Sequence, residues 1–340
     1  MATPLSPARV SFAAREEYRL ILPERVGGSP SPCELPAEPS GKLRAFDELP
    51  CVGDWVDARI LGDFAYIEAV HPRRTAFVRK AAGKASAAQC VAANIDVVFL
   101  ICGLDGDFNP RRLERYLLLA HESGARPVVV LNKADLAGDQ LDECRQQAAA
   151  VAPGLDVLTM SAVRGDDALR LRDFLKPGDT AALLGSSGAG KSTIANALGG
   201  SSISTQPVRE SDSRGRHTTT ARMLIPLPGD AWLIDTPGMR ELGLWATGDD
   251  ALGGVFPEIL ALAAACRFTD CRHASEPGCA VQAALLEGGI AADRWASFQK
   301  LQAEIRHHEV KTSVEAAQAQ KRLWKNIHKA QRQHYKIKNR

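Results

Sequence analysis

The sequence predicts a multidomain chain in three parts: a small N-terminal β domain, a central α/β domain on a mostly parallel sheet, and a mostly α C-terminal region. Three observations carry this. Up to about residue 90 the chain holds short β-leaning stretches broken by Gly and Pro. From Ile95, apolar runs of four to eight residues alternate with helical stretches, the pattern of buried parallel strands. Beyond about Gly248 the texture is helical, interrupted by a cluster of Cys and His. With 340 residues, two or three domains are expected at ~150 residues each.

In the first part, Val52 to Val56, Phe64 to Val70 and Ala76 to Val78 read as strands with partly alternating faces, and Gly27 to Gly41 reads as a loop. Periodicity leaves barrel and sandwich both open. In the second part, strands are expected at Ile95 to Ile101, Pro127 to Leu131, Leu155 to Met160, Thr180 to Leu184, Met223 to Leu227 and Ala231 to Ile234. Arg111 to Glu122 and Asp139 to Val151 are long enough to be crossover helices. In the third part, Trp295, Phe298, Leu301 and Ile305 recur at helical spacing, which makes them a core-facing stripe.

Composition excludes several classes. At 45% hydrophobic and 24% charged residues the chain is globular, not collagen-like, coiled-coil or largely disordered. Its longest apolar run, Val97 to Leu104, falls far short of the ~20 residues that a bilayer span needs. Met1 to Val10 shows no basic segment followed by an apolar core, so a soluble, cytoplasmic protein is expected. Net charge is +2, but Lys321 to Arg340 holds eight of the 42 basic residues and no acid. That leaves 34 basic against 40 acidic residues elsewhere: a basic arm on an acidic body, suited to a polyanion. Five of the eight cysteines are scattered and three crowd between Cys266 and Cys279, which favours a metal site over disulfides.

Gly185-Ser186-Ser187-Gly188-Ala189-Gly190-Lys191-Ser192 matches G-x-x-x-x-G-K-[ST] directly after an apolar strand. Glycines let the backbone wrap a polyphosphate with its N–H groups inward, and the helix that follows, through Thr193, adds its positive end. Lys191 would reach the β and γ phosphates, and the Ser192 hydroxyl would ligate Mg²⁺. Downstream, Asp235-Thr236-Pro237-Gly238 ends another apolar strand. Asp235 would hold Mg²⁺ and the Gly238 N–H would meet the γ-phosphate. Asn132-Lys133-Ala134-Asp135 follows a third buried strand. Guanine presents N1–H and N2–H₂ side by side, so one carboxylate, Asp135, can accept both; adenine offers neither donor. Lys133 would lay its stem over the ring, Asn132 would brace the phosphate loop, and Ser161-Ala162 would offer a backbone N–H to guanine O6. Cys266-x4-Cys271-x-His273-x5-Cys279 has the ligand count and types of a closed, structural zinc site.

These motifs resemble those of translational GTPases in rotated order, base elements before phosphate elements, as in a circularly permuted GTPase. With the β domain before them and the Cys₃His segment after, the chain resembles the RsgA/YjeQ family of small-ribosomal-subunit-dependent GTPases. Val52-Gly-Asp, Ile67 to Arg74, Val91-Ala-Ala-Asn94 and Gly215 to Thr220 also carry the likeness. The resemblance implies an OB-fold β-barrel over 1–92, a permuted P-loop GTPase over 93–250 and a helical zinc-binding domain with a basic tail over 251–340. It implies GTP hydrolysis stimulated by the small subunit during its late maturation; a monomer is expected, with the basic arm on the phosphates of the subunit's rRNA.

Met239 stands where small GTPases place the Gln that orients water, and it cannot do so. Within the polar stretch Gly200 to Arg222, His217 is the candidate that the resemblance supports, with Thr218 or Thr219 completing the Mg²⁺ shell and Arg216 a weaker charge-stabilising candidate. Three other classes are weighed: an ATP-using P-loop enzyme, a nucleotide-gated RNA-binding module whose hydrolysis is incidental, and a relative acting on the large subunit.

Overall fold

The computed structural model describes residues 4–14, 17–22, 34–45, 49–80, 88–199, 222–235 and 249–307. They fall into two compact units, Met1–Val78 with Cys90–Leu242, and Arg79–Gln89 with Gly243–Arg340.

The first unit begins with β1 (Leu5–Ala13), β2 (Tyr18–Ile21), β3 (Glu34–Pro39), α1 (Gly41–Ala45), β4 (Trp55–Leu61) and β5 (Phe64–Val70). Pairings β1–β2, β2–β3, β3–β5, β5–β4 and β4–β1 return to their start, so five strands close a barrel and leave no open edge. Gly62, at φ 65°, supplies the left-handed backbone for the tight turn between β4 and β5. One expectation is corrected. Glu34 to Pro39, inside the stretch read as a loop, is a paired strand whose Leu35, Ala37 and Pro39 are buried on alternate positions. Prolines at 30, 32, 36 and 39 hid that alternation.

All six strands expected of the α/β part are present: β8 (Val97–Gly103), β9 (Arg126–Asn132), β10 (Val157–Thr159), β11 (Thr180–Gly185), β12 (Arg222–Leu227) and β13 (Ala231–Asp235). Between barrel and sheet, β6 (Ala76–Lys80) and β7 (Ala88–Ala93) pair with each other. In the order β10-β9-β8-β11-β13 the strands run parallel. Their apolar runs follow from burial on both faces, and β8 is buried at every position. β12 lies antiparallel on β13. The two crossover helices form as α2 (Pro110–Ser123) and α3 (Leu141–Val151), joined by two shorter ones, α4 (Gly165–Leu169) and α5 (Lys191–Gly199). Helix α2 has Asn109 as N-cap, Pro110 in its first turn and Gly124 at φ 80° past its end.

Barrel and sheet are continuous. Phe12 and Ala13 of β1 pair with Met223 and Arg222 of β12, giving one sheet of eleven strands. The Val52-Gly-Asp turn lies at this junction. A Cβ on Gly53 would fall 2.1 Å from the Ala93 carbonyl oxygen, so no side chain fits. Gly53 O instead accepts the Asn94 amide at 3.0 Å. Asp54, fully buried, accepts two bonds of 2.8 Å from Arg73. Arg9 donates to Thr180 at 2.5 Å, and burial lowers its guanidinium pKa to about 10.

The second unit is helical where expected: α6 (Asp249–Val255), α7 (Pro257–Ala264), α8 (Ala280–Leu286) and α9, residues 292–307. The stripe Trp295, Phe298, Leu301 and Ile305 is buried. Trp295 stacks on Phe298 at 5.4 Å, and Phe256 meets Phe298 edge-on at the same distance. Arg294 lies over Phe256 and donates to Glu258 at 2.8 Å. Among the described residues no helix is long and apolar enough to cross a membrane.

Candidate nucleotide site and metal centre

In an open parallel sheet, ligands bind beyond the carboxyl ends of the strands. β9, β11 and β13 end in Asn132, Gly185 and Asp235, and Met160 to Ala162 follow β10. The four motifs therefore leave parallel strands of one sheet at the same end, with β8 between β9 and β11.

The phosphate loop runs from Gly185 to Gly190, and α5 starts at Lys191. Gly188 and Gly190 have φ of 75° and 97°, values that side chains other than Gly disfavour. A Cβ on Gly190 would also lie 2.2 Å from Asn132 Nδ2. Gly190→Ala is expected to weaken GDP about 5- to 150-fold, since strain of this kind costs about 1–3 kcal/mol and 1.4 kcal/mol is tenfold; titration calorimetry on the folded variant reads the loss. Lys191 Nζ donates to the carbonyls of Gly185 at 2.8 Å and Ser186 at 2.5 Å. Ser192 and Thr193 are exposed in the first turn of α5.

At the base end, Asn132 is buried and joins three motifs. Its Nδ2 donates to Ala189 O at 2.8 Å, and its Oδ1 accepts Ala162 N at 2.9 Å. Lys133 takes a left-handed conformation, φ 64°, which turns the chain into a short 3₁₀ segment, Ala134–Leu136, carrying Asp135. The Ser161 hydroxyl donates to Asp135 Oδ1. That bond holds the Asp135 carboxyl below its usual pKa, so it is ionised and acceptor-only at neutral pH. The backbone N–H groups of Ser161 and Ala162, one of which is expected to reach guanine O6, are both engaged: Ser161 N by Asp167 at 3.2 Å, Ala162 N by Asn132.

Sequence reasoning missed two acids here. Asp105 and Asp107 follow β8 in the loop before α2. Asp105 pairs with Lys133, and Asp107 Oδ2 accepts Ser186 Oγ at 2.7 Å and Arg112 Nη1 at 2.6 Å. The available signal was position: these acids leave a buried strand at the same sheet end as the other motifs. Asp235 closes β13 as expected. Arg216, His217, Thr218, Thr219, Gly238 and Met239 lie outside the described residues.

In the second unit, Cys266, Cys271, His273 and Cys279 bring four ligand atoms within 4.8 Å of one another. Cys266 Sγ is 3.8 Å from Cys279 Sγ, and both are 3.5 Å from His273 Nδ1. A tetrahedron with ~2.3 Å bonds to sulfur has edges of ~3.7 Å, so the donor set fits zinc. A left-handed His273, φ 57°, turns the loop so that its ring faces the thiols. Cys279 caps the N-terminus of α8, its Sγ accepting Gln282 N at 3.4 Å. Glu276 accepts the backbone N–H groups of Arg272, Ala274 and Ser275, which lowers its carboxyl pKa to about 2.

Fold and site together define a P-loop GTPase whose base loops precede its phosphate loop along the chain, a circular permutation. The RsgA GTPase family model matches residues 70–245. The chain belongs to this family. It is 48% identical over 98% of its length to the small ribosomal subunit biogenesis GTPase RsgA of Opitutus terrae, covering 93% of that protein. It is 50% identical over 80% of its length to the RsgA of Xanthomonas euvesicatoria pv. vesicatoria, covering 74% of it. In fold it is similar to the crystal structure of YjeQ from Thermotoga maritima, with a TM-score of 0.65 at 24% identity over 88% of this chain and 98% of that one. It is also similar to YloQ, described as a circularly permuted GTPase, with a TM-score of 0.61 at 23% identity over 89% of this chain and 96% of that one.

Proposed function

We propose that this protein binds the small ribosomal subunit in the cytoplasm, hydrolyses GTP there, and assists the subunit's late maturation, with the nucleotide state controlling attachment and release. One observation carries the nucleotide part: the Asn132 side chain bonds both the phosphate loop, at Ala189, and the base loop, at Ala162. A ligand gripped by both loops needs a purine and a polyphosphate. The ribosomal part rests on family membership and on the name that its relatives carry.

In this reading Asp135 accepts both guanine donors while Lys133 covers the ring. Residues 185 to 193 cradle the phosphates, Lys191 moves onto the β and γ oxygens, and Gly238 senses the terminal phosphate. Mg²⁺, held by Ser192, Asp235 and Thr218, neutralises phosphate charge when bound. His217 orients the attacking water in place of Met239. Residues 1–92 serve as an OB-fold RNA-binding domain, a role for which a closed five-stranded barrel is suited. Residues 93–250 are the GTPase domain and 251–340 the zinc-stabilised domain with its basic tail, acting in a monomer.

The test is GTP turnover alone, with isolated small subunits and with large subunits. Stimulation by the small subunit alone supports the reading; stimulation by the large subunit alone, or by neither, overturns it. His217→Ala is expected to lower the stimulated turnover about a hundredfold while leaving GDP affinity unchanged; retained stimulation removes His217 from catalysis. Deleting 321–340 is expected to flatten the salt dependence of subunit binding, since each phosphate contact adds ~0.7 to 0.9 to the log-log slope. An unchanged slope removes the arm as an rRNA contact.

A further inference from the structure

We propose that Asp105 and Asp107 form a two-point clip that positions the nucleotide site, Asp105 setting Lys133 at the base end and Asp107 setting Ser186 at the phosphate end. The inference rests on the reading that both loops grip one guanine nucleotide.

The clip is built from the loop between β8 and α2. Its start is fixed to the base loop, where Leu104 N donates to Asn132 O at 2.9 Å. It also packs against the phosphate loop: a Cβ on Gly103 would lie 3.6 Å from Ala189 Cα and 2.7 Å from Asp105 Oδ1. Its far end is fixed to α2, because Arg112, in the first turn, donates to Asp107 at 2.6 Å. Asn109 caps that turn. Two anchored ends leave the carboxylates little freedom.

Each acid has its own cation, Lys133 for Asp105 and Arg112 for Asp107. Two bare carboxylates beside a polyphosphate would repel it; paired ones act as acceptors whose charge is already balanced. Neither acid needs to touch substrate, so both are positioning residues.

Lys191 shows why Asp107 matters. Its ammonium sits on the carbonyls of Gly185 and Ser186. To meet the phosphates it must release at least one of them. Ser186 then remains tied through its hydroxyl, at 2.7 Å from Asp107, and the entry to the phosphate loop keeps its shape while the lysine moves. At the other end, Lys133 can cover the ring only from its left-handed turn, and Asp105 holds its ammonium to one side of it.

The two arms separate by ligand. In the full-length protein, Asp107→Ala is expected to weaken GDP about tenfold and to leave GMP, which lacks the β-phosphate, unchanged. Ser186→Ala should do the same. The double variant should be no weaker than either single one, since both remove one bond. Asp107→Asn, which keeps an acceptor, should restore most of the affinity. Asp105→Asn should weaken GDP and GMP by the same factor, about three- to tenfold. Multiplicative losses in the Asp107/Ser186 double variant, or equal loss of GMP and GDP in Asp107→Ala, would overturn the clip. If the shared-nucleotide reading itself is wrong, Asp135→Asn will leave base preference untouched, an outcome separate from any of these.

Discussion

Replacing Asp135 by Asn is expected to weaken guanine nucleotides about a hundredfold and to erase the preference for guanine. Guanine offers two adjacent donors, N1–H and N2–H₂. The ionised carboxylate, held by Ser161, has two acceptor oxygens for them. An amide turns one acceptor into a donor that faces a guanine N–H, so one charge-assisted bond is lost and one repulsive contact is made. Bonds to charged groups contribute about 1.5–3 kcal/mol, and 1.4 kcal/mol is tenfold. The pattern should also invert. Xanthine carries a carbonyl where guanine has its amino group, so it matches the donor and acceptor of Asn, and xanthosine diphosphate should outcompete GDP on the variant. Displacement of a fluorescent GDP analogue by GDP, XDP and ADP measures all three. A wild-type protein that binds ADP as well as GDP would remove Asp135 from base recognition and return the ATP-using alternative.

Removing the metal is expected to unmake the Cys266–Cys279 segment. Between α7 and α8 the chain holds only turns, and most residues from Cys266 to Gly278 are exposed. With little apolar surface to bury, the loop depends on its ligands, and metal binding there is folding free energy. Cys266→Ser or Cys271→Ser should lower zinc affinity more than a hundredfold. Cys144→Ser, far along the sequence in α3, should leave it unchanged. Glu276→Ala, which frees three loop N–H groups, should cost about 10- to 100-fold, the range for groups that orient ligands. Its pH dependence has a definite sign. A carboxyl depressed from 4.5 to about 2 contributes fully above its ordinary value, and the contribution fades as pH falls from about 4.5 towards 2. Trp295, whose ring centroid lies 5.9 Å from that of His273, gives the readout. Chelation should change its fluorescence, and readdition of zinc should restore it. Full retention of loop structure after zinc removal, by amide hydrogen exchange, would refute a structural role.

The residues themselves decided the α/β sheet, its order of motifs and the Cys₃His cluster, because each is local. Buried parallel strands leave continuous apolar runs, a phosphate loop needs Gly at fixed offsets, and a zinc site needs thiolates and imidazole close along the chain. The barrel was only half legible. Its β3 is a strand that proline disguises, stabilised by pairing with β2 and β5 on both sides. Tertiary structure alone decided what depends on distant segments meeting: β1 adding to β12, Asn132 bonding Ala189 fifty-seven positions away, and Asp107 reaching Ser186 across seventy-nine. Motif spacing records which groups can do chemistry. Which group holds another in place is set by packing between segments, and no pattern along the chain encodes it.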